Sequence, residues 1–377
     1  MTDAVADPLF QPLRAGALRL RSRVVMPPLT RMRAGDGGVP AALSAVYYAQ
    51  RASAGLIVTE ATHISAGARG LPSVPGIYTP RQIDGWRHIS DAVHAAGGVI
   101  VQQLFHVGRL SHPSHRDGAA PLGPSAITAP GQGYAADATL RDFVAPHALA
   151  LDEIPAIVAE FRQAALNARA AGMDGIELHA ANGYLLEQFL VDGSNQRADH
   201  YGGAIHNRAR LLLEVLDAVC AAIGADRVGV RLSPFGRAGG SHDSDPAALY
   251  AHVIASISRR RNAYLHLIEA RASGVGRSDQ LPETAIGVAP LFRPLYDGVL
   301  ISSGGYSHAS AEAALLAGHA DAIGFGRMFI ANPDLPARLL RGAPLQPYQR
   351  ATFYGGGAEG YTDYPALYPP PPEREKP

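Results

Sequence analysis

The chain has 377 residues, of which 47% are hydrophobic and 18% are charged, a composition typical of a globular protein. Its 33 Lys and Arg balance 33 Asp and Glu, and this neutral balance argues against nucleic acid or an anionic membrane surface as a partner. The single cysteine, Cys220, excludes an intramolecular disulfide and a cysteine-only metal cluster.

Residues 1–20 precede the first predicted strand, and we expect them to form a small hairpin that closes one end of the fold. Met1 to Leu13 lack the basic start and the continuous apolar run of a signal peptide. No apolar stretch approaches the roughly 20 residues that span a bilayer. The sequence therefore predicts a cytoplasmic protein without a membrane partner.

Short runs rich in valine and isoleucine follow, and most are apolar throughout, as in parallel strands that are covered on both faces. The eight predicted strands are Val24–Pro28, Leu56–Ala61, Val99–Phe105, Gly175–His179, Val228–Leu232, Tyr264–Glu269, Gly298–Ser302 and Ala322–Phe325.

Amphipathic patterns predict helices between these strands. They cover Pro80–Ala96, Asp152–Ala171, Ile205–Ile223, Asp245–Arg260, Ala309–Ala317 and Pro333–Arg341. Asp152 and Glu153 suit the first turn of the second of these helices, and either Ser307 or Ser310 suits the cap of the fifth. Leu281–Tyr296 contains three prolines and is expected to be only partly helical.

Eight β/α repeats without a clear linker predict an α/β fold with a single domain over residues 1–377, closed as a (β/α)8 TIM barrel. The alternative is an open doubly wound sheet, which would carry a glycine-rich turn after its first strand if it bound a dinucleotide. Leu29 to Arg33 follow the first predicted strand and form no such turn.

Two segments are predicted additions to the barrel. Residues 106–150 are rich in Gly, Pro and Ser and form a long capping loop after the third strand, with a hairpin at Thr139–Leu149. Residues 345–377 form a C-terminal tail, whose Pro369–Pro372 and final charges are expected to be disordered.

The end of the fourth predicted strand carries the strongest catalytic signal, because barrel enzymes place their active sites where the strands end. His179 and Asn182 can donate two hydrogen bonds to one substrate oxygen and stabilise negative charge on it. Tyr184 is protonated at neutral pH and can deliver a proton. The alternative for His179 is a core histidine beside an ordinary turn.

The ends of the last two predicted strands suggest a phosphate site. Ser303, Gly304 and Gly305 follow the seventh strand, and Gly326 and Arg327 follow the eighth. Small residues let backbone N–H groups approach an anion, and an arginine adds a charge-assisted contact. The alternative is a pair of glycine turns and a surface arginine.

The remaining strand ends carry groups that suit a flat heterocycle. Thr30 and Gln103 can bond its carbonyls and ring nitrogens, Arg231 can offset negative charge, and Ala61 is small enough to lie against a ring. The alternative for Arg231 is an ion pair with Glu177 or Glu269 in the barrel core. The fifteen histidines show no ligand spacing, so no metal site is predicted.

Together these positions resemble the Old Yellow Enzyme family of flavin ene-reductases, close to its bacterial N-ethylmaleimide and nitrate-ester reductase branch. The resemblance covers nearly the whole chain. The segments that carry it are Arg23–Arg31, Leu56–Thr62, Gln103–Arg109, Asp174–Tyr184, Ser194–Asp199, Tyr201–Gly203, Gly229–Arg231, Gly324–Arg327 and Phe353–Gly360.

The resemblance implies non-covalent FMN as the cofactor and NADPH or NADH as a transient reductant. The residues implied to bind the flavin are Pro28, Leu29, Thr30, Ala61, Gln103 and Arg231 for the ring and ribityl chain, and Ser303, Gly304, Gly305, Gly326 and Arg327 for the phosphate. His179 and Asn182 are implied to bind the substrate oxygen, and Tyr184 matches the proton donor. Tyr354 would flank the pocket.

The implied activity is reduction of the C=C bond of enones, enals, maleimides or nitroalkenes by a monomer or homodimer. Phe105 departs from the family, because many members carry Trp there, and it is expected to change pocket shape and stereochemical preference. Residues 111–142 resemble the family only loosely. The alternatives are another flavin barrel with an iron–sulfur cluster, which one cysteine excludes, a barrel aldolase or isomerase acting on a phosphorylated substrate, and a non-catalytic flavin-binding protein.

Overall fold

The computed structural model describes residues 7–272 and 286–367. The strands in this part of the chain are β1 (Leu13–Ala15), β2 (Leu18–Leu20), β3 (Val24–Met26), β4 (Leu56–Val58), β5 (Thr62–His63), β6 (Ile100–Phe105), β7 (Leu122–Gly123), β8 (Gln132–Tyr134), β9 (Leu140–Asp142), β10 (His147–Ala148), β11 (Gly175–Ala180), β12 (Val228–Leu232), β13 (Tyr264–Ile268), β14 (Val299–Ser303) and β15 (Ala322–Gly324).

Eight parallel strands close into a barrel in the order β3, β4, β6, β11, β12, β13, β14, β15, and β15 pairs back onto β3. The short strand β5 continues the β4 position and pairs with the end of β6. The barrel strands are buried almost throughout, which explains their apolar composition. The predicted α/β TIM barrel is confirmed.

The helices that surround the barrel are α1 (Ala42–Ala49), α2 (Pro80–Ala95), α3 (Ile154–Ala170), α4 (Leu185–Leu190), α5 (Ile205–Arg208), α6 (Arg210–Ile223), α7 (Pro246–Ser258), α8 (Val288–Phe292), α9 (His308–Leu316), α10 (Gly326–Ala331) and α11 (Leu335–Arg341). Helix α1 packs on α2, and α3 packs on α6. Within residues 7–272 and 286–367, each helix is too short or too polar to cross a lipid bilayer.

Capping residues set where several helices begin. Thr79 and Gln82 form a reciprocal capping box at the start of α2, and Asp245 accepts from the backbone of Ala248 at the start of α7. Ser307 caps α9, while Ser310 bonds back to the Ser307 amide, so the two predicted caps act together.

Two local predictions differ from the structure. Helix α3 begins at Ile154, since the Glu153 carboxylate accepts from the Ala150 amide at 2.6 Å instead of capping the helix. The hairpin of the capping loop pairs β8 with β9, earlier than the predicted Thr139–Leu149. Its turn forms where the Asp137 carboxylate accepts from the Thr139 amide at 3.0 Å.

The additions at the two ends of the chain agree with the sequence where they are described. Strands β1 and β2 form the predicted N-terminal hairpin. In the partly helical segment, residues 288–292 form α8, whereas residues 281–285 lie outside the described residues. Residues 369–372, expected to be disordered, also lie outside them.

Candidate active site

Three rings meet where β6 and β11 end. The rings of His179 and Tyr184 lie edge to face with centroids 4.9 Å apart, and Phe105 contacts both, at 6.2 Å and 5.1 Å respectively. On its other side Phe105 stacks on His63 at 4.8 Å. Ala61 belongs to the same apolar cluster. The barrel therefore gathers these predicted pocket residues on its C-terminal face.

The turn between β11 and α4, which contains Asn182 and joins His179 to Tyr184, has an unusual backbone. Asn182 and Gly183 both have positive φ, at 57° and 79°. The Asn182 amide donates to Ser233 Oγ at 2.9 Å, and a Cβ on Gly183 would lie 2.4 Å from the Ala238 carbonyl oxygen. The chain after β12 therefore packs directly on this turn and fixes it.

The protonation states in the cluster follow from burial. Burial lowers the pKa of His179 well below its usual value, and the charge of Arg231 lowers it further. Burial raises the pKa of Tyr184 to about 12, with a smaller effect from Tyr354. At neutral pH the site therefore holds a neutral imidazole and a protonated phenol. The buried Nδ1 of His179 has no partner among the described residues.

A chain of buried polar side chains crosses the barrel below this cluster. Gln103 Nε2 donates to Glu177 Oε1 at 2.8 Å, and His266 Nδ1 lies 2.9 Å from Glu177 Oε2. His266 Nε2 lies 2.9 Å from Ser303 Oγ. Since burial lowers the pKa of His266, its single proton faces Glu177, and the Ser303 hydroxyl donates to His266.

Arg231 is buried at the end of β12 next to this chain. Burial lowers its pKa, while the charge of Glu177 opposes that shift. Its Nε finds no hydrogen-bond partner in the part of the chain that the structure describes. Leaving a buried guanidinium N–H without a partner is costly, so this atom indicates a site for an acceptor from outside the protein.

The glycine loops after β14 and β15 lie side by side, since the two strands are paired. Gly304 has a φ of 125°, and a Cβ there would lie 2.9 Å from the Ala272 Cβ. Arg271 Nε donates to the Gly304 carbonyl at 2.7 Å. Arg327 lies in the first turn of α10. These loops have small residues and nearby guanidinium groups, as an anion site requires.

The segment after β3 is fastened to the C-terminal tail by two buried arginines. Arg31 donates to the carbonyls of Phe353 at 2.9 Å and Gly360 at 2.8 Å. Arg33 donates to the Thr352 carbonyl at 3.0 Å, and its guanidinium lies 4.5 Å from the centre of the Tyr361 ring. This set of contacts, which we call the arginine tether, fixes the tail beside the segment that contains Thr30.

Comparison with known proteins assigns this arrangement to a family. Residues 8–346 match the sequence model of the NADH:flavin oxidoreductase / NADH oxidase family. The chain belongs to this family. It is 44% identical to the flavin oxidoreductase hxnT of Emericella nidulans over 95% of this chain and 97% of that protein. This family contains the Old Yellow Enzymes, so the resemblance seen in the sequence is confirmed.

Solved structures agree with the family assignment. The Old Yellow Enzyme homologue from Zymomonas mobilis superposes with a TM-score of 0.91 at 44% identity, covering 95% of this chain and 99% of that one. Morphinone reductase in complex with tetrahydroNAD superposes at 0.89 with 48% identity, covering 96% and 98%. This member of the Old Yellow Enzyme family is therefore an FMN-dependent oxidoreductase with a nicotinamide as reductant, rather than a barrel aldolase or isomerase.

The residues of this family member fit FMN. The unpartnered Nε of Arg231 and the polar side chain of Gln103 lie at one part of the barrel mouth. The glycine loops lie at another, and Pro27 and Leu29 border them, within 3.7 Å of where a Gly326 Cβ would be. A ring with acceptor atoms and a phosphate match these two features.

The sequence did not single out several residues that complete the site. His266 left a visible signal, a histidine within an otherwise apolar strand, and Glu177 was considered only as an alternative partner for Arg231. Arg271 and Ser233 left no signal, because their importance comes from neighbours that are distant in the sequence.

Proposed function

We propose that this chain is an ene-reductase that reduces the C=C bond of enones, enals, maleimides or nitroalkenes. The observation that supports it best is the contact between the neutral imidazole of His179 and the phenol of Tyr184 on the C-terminal face, where the two ring centroids lie 4.9 Å apart. An imidazole N–H can polarise the activating group of an alkene, and a protonated phenol beside it can then deliver a proton.

His179 and Asn182 hold the activating oxygen of the substrate. A neutral imidazole and a carboxamide each supply an N–H donor, and two such donors stabilise the negative charge that builds on a carbonyl or nitro oxygen. The same donors orient the alkene and so fix which carbon faces Tyr184.

Tyr184 supplies the proton to the carbon next to the activating group. Its pKa of about 12 keeps the hydroxyl protonated at all physiological pH values. Phe105 and Ala61 pack beside it and restrict water around the phenol.

FMN, when bound, supplies the hydride that the nicotinamide provides. We assign its ring and ribityl chain to Pro28, Leu29, Thr30, Ala61, Gln103 and Arg231, and its phosphate to Ser303, Gly304, Gly305, Gly326 and Arg327. The Ser303 hydroxyl donates to His266, and its backbone pairs with β13 in the barrel, so we assign the hydrogen bonds to the phosphate to the loop residues that follow it. Phe105 and Tyr354 border the substrate pocket in this assignment.

The test is a steady-state assay of the purified protein. It should be yellow, and it should oxidise NADPH or NADH when cyclohexenone, N-ethylmaleimide or a nitroalkene is supplied. A yellow protein that no activated alkene reoxidises would contradict the proposal and indicate a flavin-binding protein without this activity. Light scattering of the same sample tests whether the protein is a monomer or homodimer.

The assigned roles have their own test. In the FMN-loaded protein, His179→Ala combined with Asn182→Ala should weaken binding of 4-cyanophenol by about a hundredfold, the loss of two hydrogen bonds to a charged group. The FMN content should not change, because the flavin residues lie on other strands. Unaltered binding of the phenol would contradict these roles.

A further inference from the structure

A buried carboxylate lies directly beneath the active-site turn. Glu187 is the third residue of α4 and is fully buried. Its Oε1 accepts from Ser233 Oγ and from Tyr250 OH, both at 2.7 Å. Its Oε2 accepts from the Gly183 amide. The donors come from the turn, from the loop after β12 and from α7, so one side chain connects three separate elements.

Both backbone amides of the strained turn end on this carboxylate. Gly183 reaches it directly, and Asn182 reaches it through Ser233, which accepts from the Asn182 amide at 2.9 Å and donates to Glu187. Asn182 lies in the left-handed region, which residues with a side chain rarely adopt. A conformation of this kind persists only where its surroundings hold it. The packing of Ala238, a hydrogen bond from Gln188 to the Gly183 carbonyl and this carboxylate all contribute, and the carboxylate is the group on which both amides converge.

A carboxylate is the group that this position requires. It offers acceptor sites on both oxygens, and Ser233, Tyr250 and the Gly183 amide all donate to it. A glutamine has one acceptor oxygen, so its NH₂ group would face either the Gly183 amide or the two hydroxyls. Burial raises the pKa of Glu187, while the hydrogen bonds from Ser233, Tyr250 and Gly183 favour the ionised form.

We infer that Glu187 is the positioning residue of the active site: through Ser233 and the Gly183 amide, it holds the turn so that Asn182 and Tyr184 face the same space as His179. Glu187 is fully buried beneath the turn, and we assign it no contact with substrate or flavin. The inference rests on the proposed function for its catalytic consequence, but the positioning of the turn stands on the contacts alone.

The experiment compares Glu187→Gln and Ser233→Ala with the unaltered protein, each loaded with FMN. Both variants should keep the FMN content and weaken 4-cyanophenol binding by about tenfold, since one hydrogen bond to the turn is lost in each. The rate of cyclohexenone reduction in a single turnover should fall by a similar factor. Backbone amide hydrogen exchange in a peptide that covers residues 181–184 should be faster in both.

Glu160→Gln is the matched control. Glu160 is a carboxylate on α3 that accepts from a serine hydroxyl, Ser65 Oγ, at 2.8 Å, and burial raises its pKa as well. It lies outside the turn network, so this variant should bind the phenol and exchange the turn amides as the unaltered protein does.

Two results would overturn the inference. The first is a pair of folded, FMN-loaded variants whose phenol binding and amide exchange both stay within twofold of the unaltered protein. The second is a Glu160→Gln variant that shows the same losses. If Glu187→Gln fails to fold, Ser233→Ala decides alone. If the unaltered protein reduces no alkene, the proposed function fails, while phenol binding and amide exchange still test Glu187.

Discussion

Tyr184 combines a high pKa with a fixed orientation, since its ring contacts those of both Phe105 and His179. The phenol is thus a weak acid held in one place. Such a group gives up its proton only to a strongly basic carbon, of the kind that forms when hydride has been added to the neighbouring position. The residue is therefore suited to the second of the two hydrogen transfers and not to the first.

We expect Tyr184→Phe to separate these two transfers. The substitution keeps the ring and removes the hydroxyl, so alkene reduction in a single turnover should slow by about a hundredfold. Reduction of the flavin by the nicotinamide needs no proton from this residue and should stay within twofold. Stopped-flow absorbance of the flavin measures both steps on one sample, and equal slowing of both would contradict the assignment.

The pH dependence follows from the same two side chains. His179 has a lowered pKa, so its imidazole becomes charged only well below the ordinary value of 6.5. Tyr184, with a pKa of about 12, loses its proton only at very alkaline pH. The rate of cyclohexenone reduction in a single turnover should therefore be flat from about pH 6.5 to 9.5. Burial raises the pKa of the Glu60 carboxyl, next to Ala61, to about 7, so Glu60→Gln is the control. An inflection near pH 6.5 that persists in Glu60→Gln would show that His179 titrates as an exposed histidine does.

At the scale of whole elements, the site depends on how neighbouring strands end. The loops after β14 and β15 meet because those strands pair, and the close packing of Gly304 against Ala272 leaves no space for a side chain. The polar chain from Gln103 to Ser303 likewise connects four strands through Glu177 and His266. Pairing of the strands thus decides which residues cooperate.

Gly304→Ala should weaken FMN binding. The added Cβ would clash with the Ala272 Cβ at 2.9 Å and force the loop out of its positive φ, so the Kd for FMN should rise by about tenfold or more. Gly318→Ala is the control, because Gly318 also has a positive φ, 68°, but no atom lies within 4 Å of its Cβ position. Titration of the apoprotein with FMN compares the two, and equal affinities would contradict the assignment of this loop.

Glu177→Gln should shift the potential of the flavin. Although burial raises its pKa, the neighbouring His266 and Arg231 hold the pKa of Glu177 below its usual range, so the residue is a buried negative charge. Its removal leaves the charge of Arg231 less opposed and favours the electron-rich reduced cofactor. The midpoint potential should rise by about 30–50 mV. Dye-coupled spectroelectrochemistry measures it, with Glu160→Gln as the control, and a fall in the potential would refute this reasoning.

For the whole molecule, the barrel could be predicted from the sequence, because local patterns of burial reveal parallel strands that are covered on both faces. The site residues were predicted from the rule that barrel sites lie where the strands end. This rule pointed to one short segment, which contains His179, Asn182 and Tyr184. The residues that hold this segment in place could not be predicted. Glu187 accepts hydrogen bonds from Ser233 and Tyr250, which are 46 and 63 residues away in the sequence, and no local pattern predicts partners at such distances. The roles given to the flavin-binding residues remain predictions.

The arginine tether also links the stability of two distant parts of the chain. Thr30, which we assign to the flavin, immediately precedes Arg31, and Arg31 needs the carbonyls of Phe353 and Gly360 to satisfy its guanidinium. Whatever orders one partner lowers the entropy cost of ordering the other, and such coupling is reciprocal. Binding of FMN at the barrel mouth should therefore protect residues 352–361, near the carboxyl end of the polypeptide, from proteases.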